Sequence, residues 1–350
     1  MRALVYEAPQ TMSLRDVPRP SPAPGEVLLQ VVYSGICGSE LSGFMGKSSI
    51  RTPPLVFGHE IAGFVATVGA GTDCAAPVGA RATVYPLLVC GSCQHCVTTR
   101  SHLCRTRRLL GAALPGGNAE YVLIPAASVE PIPDTLTLRD ASMAEPAACA
   151  IHAVSLSAVT PADSALVVGA GPIGLFVIQV LRVYGVVDIY VADPNPDRLR
   201  MAAASGATPI AHGAEGLRID IHRLTGGAGV AVSFDAAGTV QTRVNCAAAT
   251  AAGGKVMLIG LHAEETSLPI NMLIRNEMAV HGVFAYTPAE FRTAVTWLAD
   301  GRIGLRDGVV DTDLAEGPLW YQRLVDGDPT AKVLLRPNAL LGDGAVRHPA

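Results

Sequence analysis

The residues best placed to do chemistry are cysteines, one histidine and two glutamates. Cys90-Gly91-Ser92-Cys93-Gln94-His95-Cys96 repeats a Cys-x-x-Cys step, and Cys104 adds a fourth thiol eight positions further on. Four thiolates on one short lobe are the donor set of a closed tetrahedral Zn²⁺ site, and a closed site is structural because it leaves no position open for substrate. His95 then reads as an exposed bystander. A second set is dispersed. Cys37 follows Gly35-Ile36 and precedes Gly38-Ser39-Glu40, where glycines on both sides let the backbone turn and present the thiol. Gly58-His59-Glu60 ends the apolar run Val56-Phe57. Taken alone, a histidine beside a glutamate reads as a hydrogen-bonded structural pair, and a lone cysteine as a buried structural thiol.

A third motif binds rather than reacts. The apolar strand Ala165-Leu166-Val167-Val168 runs into Gly169-Ala170-Gly171-Pro172-Ile173-Gly174 and then into Leu175 to Leu181, a buried helix. Strand, G-x-G-x-x-G turn and helix form the dinucleotide fingerprint. Gly169 permits the turn, Gly171 lets the backbone approach a pyrophosphate, Gly174 lets helix and strand pack closely, and the helix N-terminus offers N–H groups to the anion. A second strand, Asp188 to Ala192, ends in Asp193, where a carboxylate binds ribose hydroxyls and repels a 2′-phosphate. NAD is therefore expected over NADP, with Arg198 nearby as the residue that could soften the preference. Pro172 and Ile173 in the turn, and Gly260 and Phe284 at the ends of later strands, complete the expected cofactor contacts.

These groups need elements to hold them. Residues 3 to 36 alternate short apolar runs with Pro18, Pro20, Pro22, Pro24 and Gly25, which is all-β in character. A further strand is expected over Val78 to Tyr85. Around residue 151 the texture changes to alternating strand and helix, with strands at Val230 to Asp235, Lys255 to Gly260 and Ala279 to Phe284. The helical pattern from Pro288 to Asp300 and the strand Lys332 to Leu335 have no partner in that second unit and are expected to return to the first. The expected domains are 1–150, 151–286 and a returning 287–350, in an α/β fold class: a β domain plus a doubly wound parallel sheet. The stretch from Pro337 to Ala350 reads as loosely held.

Composition bounds the partners. The 350 residues are 49% apolar and 16% charged, with 26 basic against 30 acidic side chains. A chain of this length exceeds one core, and its charge balance gives no reason to bind nucleic acid or an anionic membrane. Small molecules are the expected partners. With neither a membrane-length apolar run nor a secretory signal, a cytoplasmic location is expected. There, eight cysteines read as metal ligands, reactive thiols or core fillers rather than disulfides.

In order and spacing, Cys37-Gly38-Ser39, Gly58-His59-Glu60, the Cys90/Cys93/Cys96/Cys104 lobe, Glu145-Pro146 and the Gly169 to Gly174 turn resemble the zinc-dependent medium-chain dehydrogenases. Ala144-Glu145-Pro146-Ala147 is similar to the polyol branch, that of sorbitol, galactitol-phosphate and threonine dehydrogenases, which has glutamate where the alcohol dehydrogenase branch has its third zinc cysteine. The resemblance implies a GroES-like β catalytic domain interrupted by a Rossmann domain, with the active site in the cleft between them, and a homodimer or homotetramer. It implies two zinc ions, one structural in the cysteine lobe and one catalytic. Cys37 and His59 would hold the catalytic ion, with Glu60 and Glu145 both candidates for the remaining ligand. Ser39 matches the family's proton-relay hydroxyl.

The implied reaction is hydride transfer from a secondary alcohol, a polyol, sugar or cyclitol, to NAD, giving a ketone. Two positions depart from the pattern. Glu40 stands where the family usually has Asp to orient the zinc histidine, and Ala285 replaces an arginine that sorbitol dehydrogenases use near substrate. Sorbitol is thus in doubt, and a secondary-metabolite alcohol fits as well. A zinc-free quinone reductase would lack the metal cysteines and Asp193. A non-catalytic NAD- and zinc-binding protein of the same fold would not need Cys37, Ser39, His59 and Glu145 together.

Overall fold

The computed structural model describes residues 1–210 and 214–338, so the expectation of a loose end from Pro337 to Ala350 meets the structure only at Pro337 and Asn338, the rest of that stretch lying outside the described residues. Those two are tied down: Asn338 Nδ2 donates to Val31 O at 2.7 Å and Glu120 O at 2.9 Å, and the Arg2 guanidinium donates to Pro337 O at 3.1 Å.

The chain folds as two units, Met1–Glu145 together with the segment from Thr287 onward, and Pro146–Tyr286. The first break falls between Glu145 and Pro146, in the first turn of the helix Ala144–Ser157, rather than at residue 150 further along the same helix.

The first unit is built on a seven-stranded sheet. Its order is Val129–Pro131, Arg81–Val84, Glu60–Val68, Glu26–Gly35, Lys332–Arg336 and Val309–Asp313, with Tyr121–Pro125 also pairing to Glu26–Gly35. The strand expected from Val78 is shorter, because Gly79 has φ +87° and the chain turns there. Glu26–Gly35 is buried along nearly its whole length, so its apolar residues need not alternate. Val27, Leu29 and Val31 pack with Ile61, Val65, Val84 and Ile124 in one core, while Leu4, Tyr6, Phe44, Phe57, Trp320, Tyr321 and Val333 form another. The register sets Gly35 opposite Glu60 and also opposite Leu334. Three segments far apart in sequence thereby meet at one end of the central strand.

The second unit is a six-stranded parallel sheet ordered Thr208–Pro209, Ile189–Ala192, Ala165–Val168, Val230–Asp235, Thr250–Leu258 and Ala279–Gly282. The strand order reverses between Ala165–Val168 and Val230–Asp235, the place where ligands bind in doubly wound sheets. Leu166, Val168, Tyr190, Leu217, Ile221, Val256 and Leu273 form its core.

Candidate active site

Cys37 ends the central strand's extension and sits at the N-cap of the helix Gly38–Phe44. His59 and Glu60 enter the neighbouring strand, and the Gly35 to Glu60 register brings the ligand atoms of Cys37, His59 and Glu60 within 4.8 Å of one another. A side chain at Gly35 would collide with the Glu60 carboxylate, so glycine is required at that position. His59 and Glu60 are both buried.

The imidazole is held from behind. Glu40 Oε1 lies 2.7 Å from His59 Nδ1 and accepts the Gly58 N–H at 2.9 Å, while Oε2 accepts the Tyr321 hydroxyl at 2.6 Å. The longer glutamate therefore keeps the histidine contact that the usual Asp makes. With Nδ1 engaged, Nε2 is the nitrogen left for a metal. Burial disfavours a charged His59, yet the Cys37 sulfur and the Glu40 carboxylate hold its pKa well above the ordinary range. That negative field and a thiolate–imidazole–carboxylate donor set suit a divalent zinc ion.

The two candidate glutamates differ. Glu60 belongs to the converging group, and both its oxygens accept from Lys332 Nζ at 2.7 Å. Burial works against a charged Lys332, but Glu60, Cys37 and, more weakly, Glu145 raise its pKa and keep it an ammonium. Glu145 is buried at the start of the helix Ala144–Ser157 and is outside the converging group.

Ser39 lies in the first turn of the helix Gly38–Phe44, and its Oγ donates to Cys37 Sγ at 3.4 Å. The same Oγ accepts from Arg51 Nη2 at 3.1 Å.

In the cysteine lobe the sulfurs of Cys93 and Cys96 are 3.5 Å apart, those of Cys90 and Cys104 3.6 Å, and those of Cys90 and Cys96 3.8 Å. These are too long for a disulfide. They match the edges, about 3.8 Å, of a tetrahedron with Zn–S bonds of about 2.3 Å. The four thiols fit a structural zinc. His95 is half-buried rather than exposed, its carbonyl accepting from Arg100 N at 2.9 Å, and it is not among the converging ligands.

In the second unit Gly169 has φ +98°, Gly171 caps the helix Pro172–Val183, and Pro172 occupies its first turn. A side chain at Gly174 would collide with Gly169 O, whereas one at Gly171 would meet nothing within 4 Å. The open face at Gly171 is where a backbone can approach a pyrophosphate. Asp193 Oδ2 accepts the Ala170 N–H and Oδ1 the Asn195 N–H, both at 2.8 Å, so the carboxylate braces the glycine turn itself. Ile173 lies half-buried in that first turn, and the Arg198 N–H is bound by Asn195 Oδ1 at 3.2 Å. Gly260 packs against Gly238, its carbonyl accepts from Arg243 Nη2 at 3.3 Å, and Phe284 is exposed.

Sequence reasoning missed Lys332, Tyr321, Arg51 and Arg243. A single lysine opening a buried apolar strand was the one local signal, since the strand around Lys332 was already assigned to the first unit.

A GroES-like β unit carrying two thiol-based metal clusters, in a chain that also folds a doubly wound nucleotide-binding sheet, defines a zinc-dependent dehydrogenase. Residues 23–134 match the alcohol dehydrogenase GroES-like domain, and residues 172–300 match the zinc-binding dehydrogenase family. Sorbitol dehydrogenase of Bacillus subtilis is 30% identical over 89% of this chain and 89% of its own. D-arabitol-phosphate dehydrogenase of Enterococcus avium is 30% identical over 97% and 98%. Among solved structures, a zinc-binding dehydrogenase of Sinorhizobium meliloti bound to NADP is 29% identical with a TM-score of 0.87, covering 96% of this chain and 99% of that one. An alcohol dehydrogenase of Escherichia coli complexed with NADH is 28% identical, also with a TM-score of 0.87 and the same coverage. The chain belongs to the zinc-dependent medium-chain dehydrogenase family, in its polyol branch. It is an alcohol-oxidising enzyme of that family, and no helix among the described residues is long and apolar enough to cross a membrane.

Proposed function

We propose that this enzyme oxidises a secondary alcohol of polyol, sugar or cyclitol type to the ketone, with NAD as hydride acceptor and zinc held by Cys37, His59 and Glu60. The observation that carries the reading is the convergence of those three ligands within 4.8 Å, next to the Ser39 hydroxyl. Zinc at this cluster supplies Lewis acidity that lowers the pKa of the substrate hydroxyl, and NAD supplies the hydride acceptor. The chain's own residues do the rest. Glu40 fixes the tautomer and ring plane of His59. Ser39 would accept the hydroxyl proton while its own proton passes to solvent, and NAD, when bound, would take the carbon-bound hydrogen as hydride.

Gly169, Gly171, Pro172, Ile173 and Gly174 would bind the pyrophosphate at the helix N-terminus, and Gly260 and Phe284 line later strand ends on the same sheet. Asp193, having two oxygens with further acceptor capacity, would bind the adenosine ribose and select NAD, with Arg198 beside it. Glu145 acts on the cluster through charge. Because Ala285 offers no charge, an uncharged polyol or cyclitol is preferred over a substrate needing an arginine. The edge strand Ala279–Gly282, with Ile270, Ile274, Val280 and Phe284 exposed around it, supports a homo-oligomer. Eight cysteines that form no disulfide support a cytoplasmic setting.

The test is a screen of polyols, cyclitols and simple secondary alcohols for NADH formation, with metal analysis in parallel. Two zinc ions per chain and turnover that vanishes in Cys37→Ser are expected. One ion per chain, or an active Cys37→Ser enzyme, refutes the site.

A further inference from the structure

Arg51 is an anomaly of burial. It is 5% exposed, yet the ion pairs among the described residues include none to it. The Glu40 carboxylate is close enough to feel its charge but makes no direct contact with it, and a merely space-filling residue there would be apolar. Its three donor directions are instead spent on neutral oxygens. Nε donates to Gly111 O, Nη1 to Ser39 O and Nη2 to Ser39 Oγ, each at 3.1 Å. Two of the three bonds therefore clamp one residue, backbone and hydroxyl together, in the plane of the guanidinium fork. The helix Gly38–Phe44 makes room for this: a side chain at Gly43 would collide with the Arg51 stem. The Phe57 ring lies 5.8 Å from Cζ and closes the pocket.

We propose that Arg51 is the positioning residue of the Ser39 hydroxyl. A serine hydroxyl has one proton and two acceptor lone pairs. Arg51 fills one lone pair and fixes the rotor, which leaves the proton directed at Cys37 Sγ, 3.4 Å away, and one lone pair for the substrate hydroxyl. The cation also favours negative charge developing on neighbouring oxygens as the proton leaves. No atom is transferred to or from Arg51, so it acts on the reaction through Ser39. The proposal rests on the relay role given to Ser39 above.

The experiment is a double-mutant cycle on the zinc-loaded enzyme: Arg51→Met, Ser39→Ala and the pair together, with Arg51→Lys as a second variant should Arg51→Met fail to fold. Arg51→Met should lower kcat about 10–100-fold, leave KM for NAD within about twofold, keep two zinc ions per chain and raise the solvent isotope effect on turnover. Arg51→Lys should restore little, because an ammonium cannot clamp both Ser39 oxygens. In the Ser39→Ala background Arg51→Met should change kcat by less than about threefold. An equal penalty in both backgrounds, or loss of zinc with kcat, overturns the positioning role while leaving the relay intact. Wild-type kcat in Ser39→Ala overturns the relay reading and this proposal with it.

Discussion

Lys332 Nζ lies 2.7 Å from both carboxylate oxygens of Glu60 and 3.0 Å from the carbonyl oxygen of Ile36, with ammonium and carboxylate both buried. A bidentate contact to one cation still leaves lone pairs on each oxygen. Glu60 can thus face Lys332 and a metal at once, which makes Lys332 the group that sets where its carboxylate sits. Removing one partner of such a pair leaves a buried unpaired charge, so Lys332→Met should destabilise the protein by about 3–5 kcal/mol. Lys332→Met with Glu60→Gln should recover most of that loss in a denaturant titration. Glu60→Gln alone should leave one zinc ion per chain, whereas Glu145→Gln should retain two. The reverse pattern in metal analysis would assign the ligand to Glu145.

Glu40 gives a second prediction. It joins His59 Nδ1, Gly58 N and the Tyr321 hydroxyl. Burial raises its pKa, but the His59 charge and hydrogen bond, together with Arg51 and Tyr321, bring it below the usual carboxylate value. An outer partner of a zinc histidine is worth about 10–100-fold in metal affinity or activity. Glu40→Gln should therefore weaken catalytic zinc by that factor in competition with a chelator, leaving the cysteine-lobe ion in place. Tyr321→Phe, which removes one donor from a buried carboxylate, should have a smaller effect in the same direction. Loss of both ions together would mean that Glu40 serves the fold rather than the histidine.

What could be read in the sequence and what could not divide along one physical line. The cysteine lobe and the glycine turn are local: their spacing alone places four sulfurs, or a strand, turn and helix, in one neighbourhood. Cys37 and His59 were legible only through resemblance, because the strand pairing that unites them spans the Gly35 to Glu60 register. Tyr321 and Lys332 left almost no trace, since they reach Glu40 and Glu60 across separations of 281 and 272 residues. Arg51 is only 12 residues from Ser39, but nothing in a run of Ser, Ile, Arg and Thr marks a guanidinium that will be buried. The choice between Glu60 and Glu145 stayed open for the same reason, because which carboxylate the central sheet carries towards Cys37 is set by long-range pairing, and Glu60 is the one that converges there.

The glycine turn separates two functions that one motif combines. Gly174→Ala forces a methyl against Gly169 O and should cost about 1–3 kcal/mol through backbone shifts, lowering the melting temperature along with NADH affinity. Gly171→Ala meets nothing within 4 Å, so the melting temperature should hold. Its methyl would project where the backbone meets the pyrophosphate, so NADH fluorescence titration should reveal a weakened complex. Equal affinity in Gly171→Ala would remove the pyrophosphate from that turn.

The cysteine lobe carries the pH prediction. The N–H groups of Ser92 and Cys93, with the Cys104 thiol, lower the Cys90 pKa from the ordinary 9.0 to about 5. Burial, reinforced by hydrogen bonds from Cys93, Cys104 and Cys90 that favour the thiol, pushes Cys96 up to about 12. At neutral pH the lobe thus offers a ready thiolate at Cys90, lowers the Cys104 pKa as well, and keeps a proton on Cys96, so zinc must displace protons as it binds. For Cys90 the sign follows from linkage. A depressed folded pKa contributes stability that is complete above 9.0 and is lost as pH falls through about 5. Zinc titrated into metal-free protein at pH 8 should therefore release protons, measurable with a pH indicator in weak buffer. Acidification should release the lobe's ion to a chromogenic chelator as protons compete with it for the thiolates. Cys90→Ser should move that release toward neutral pH, whereas release unchanged in Cys90→Ser would show that the remaining three thiols carry the ion without it.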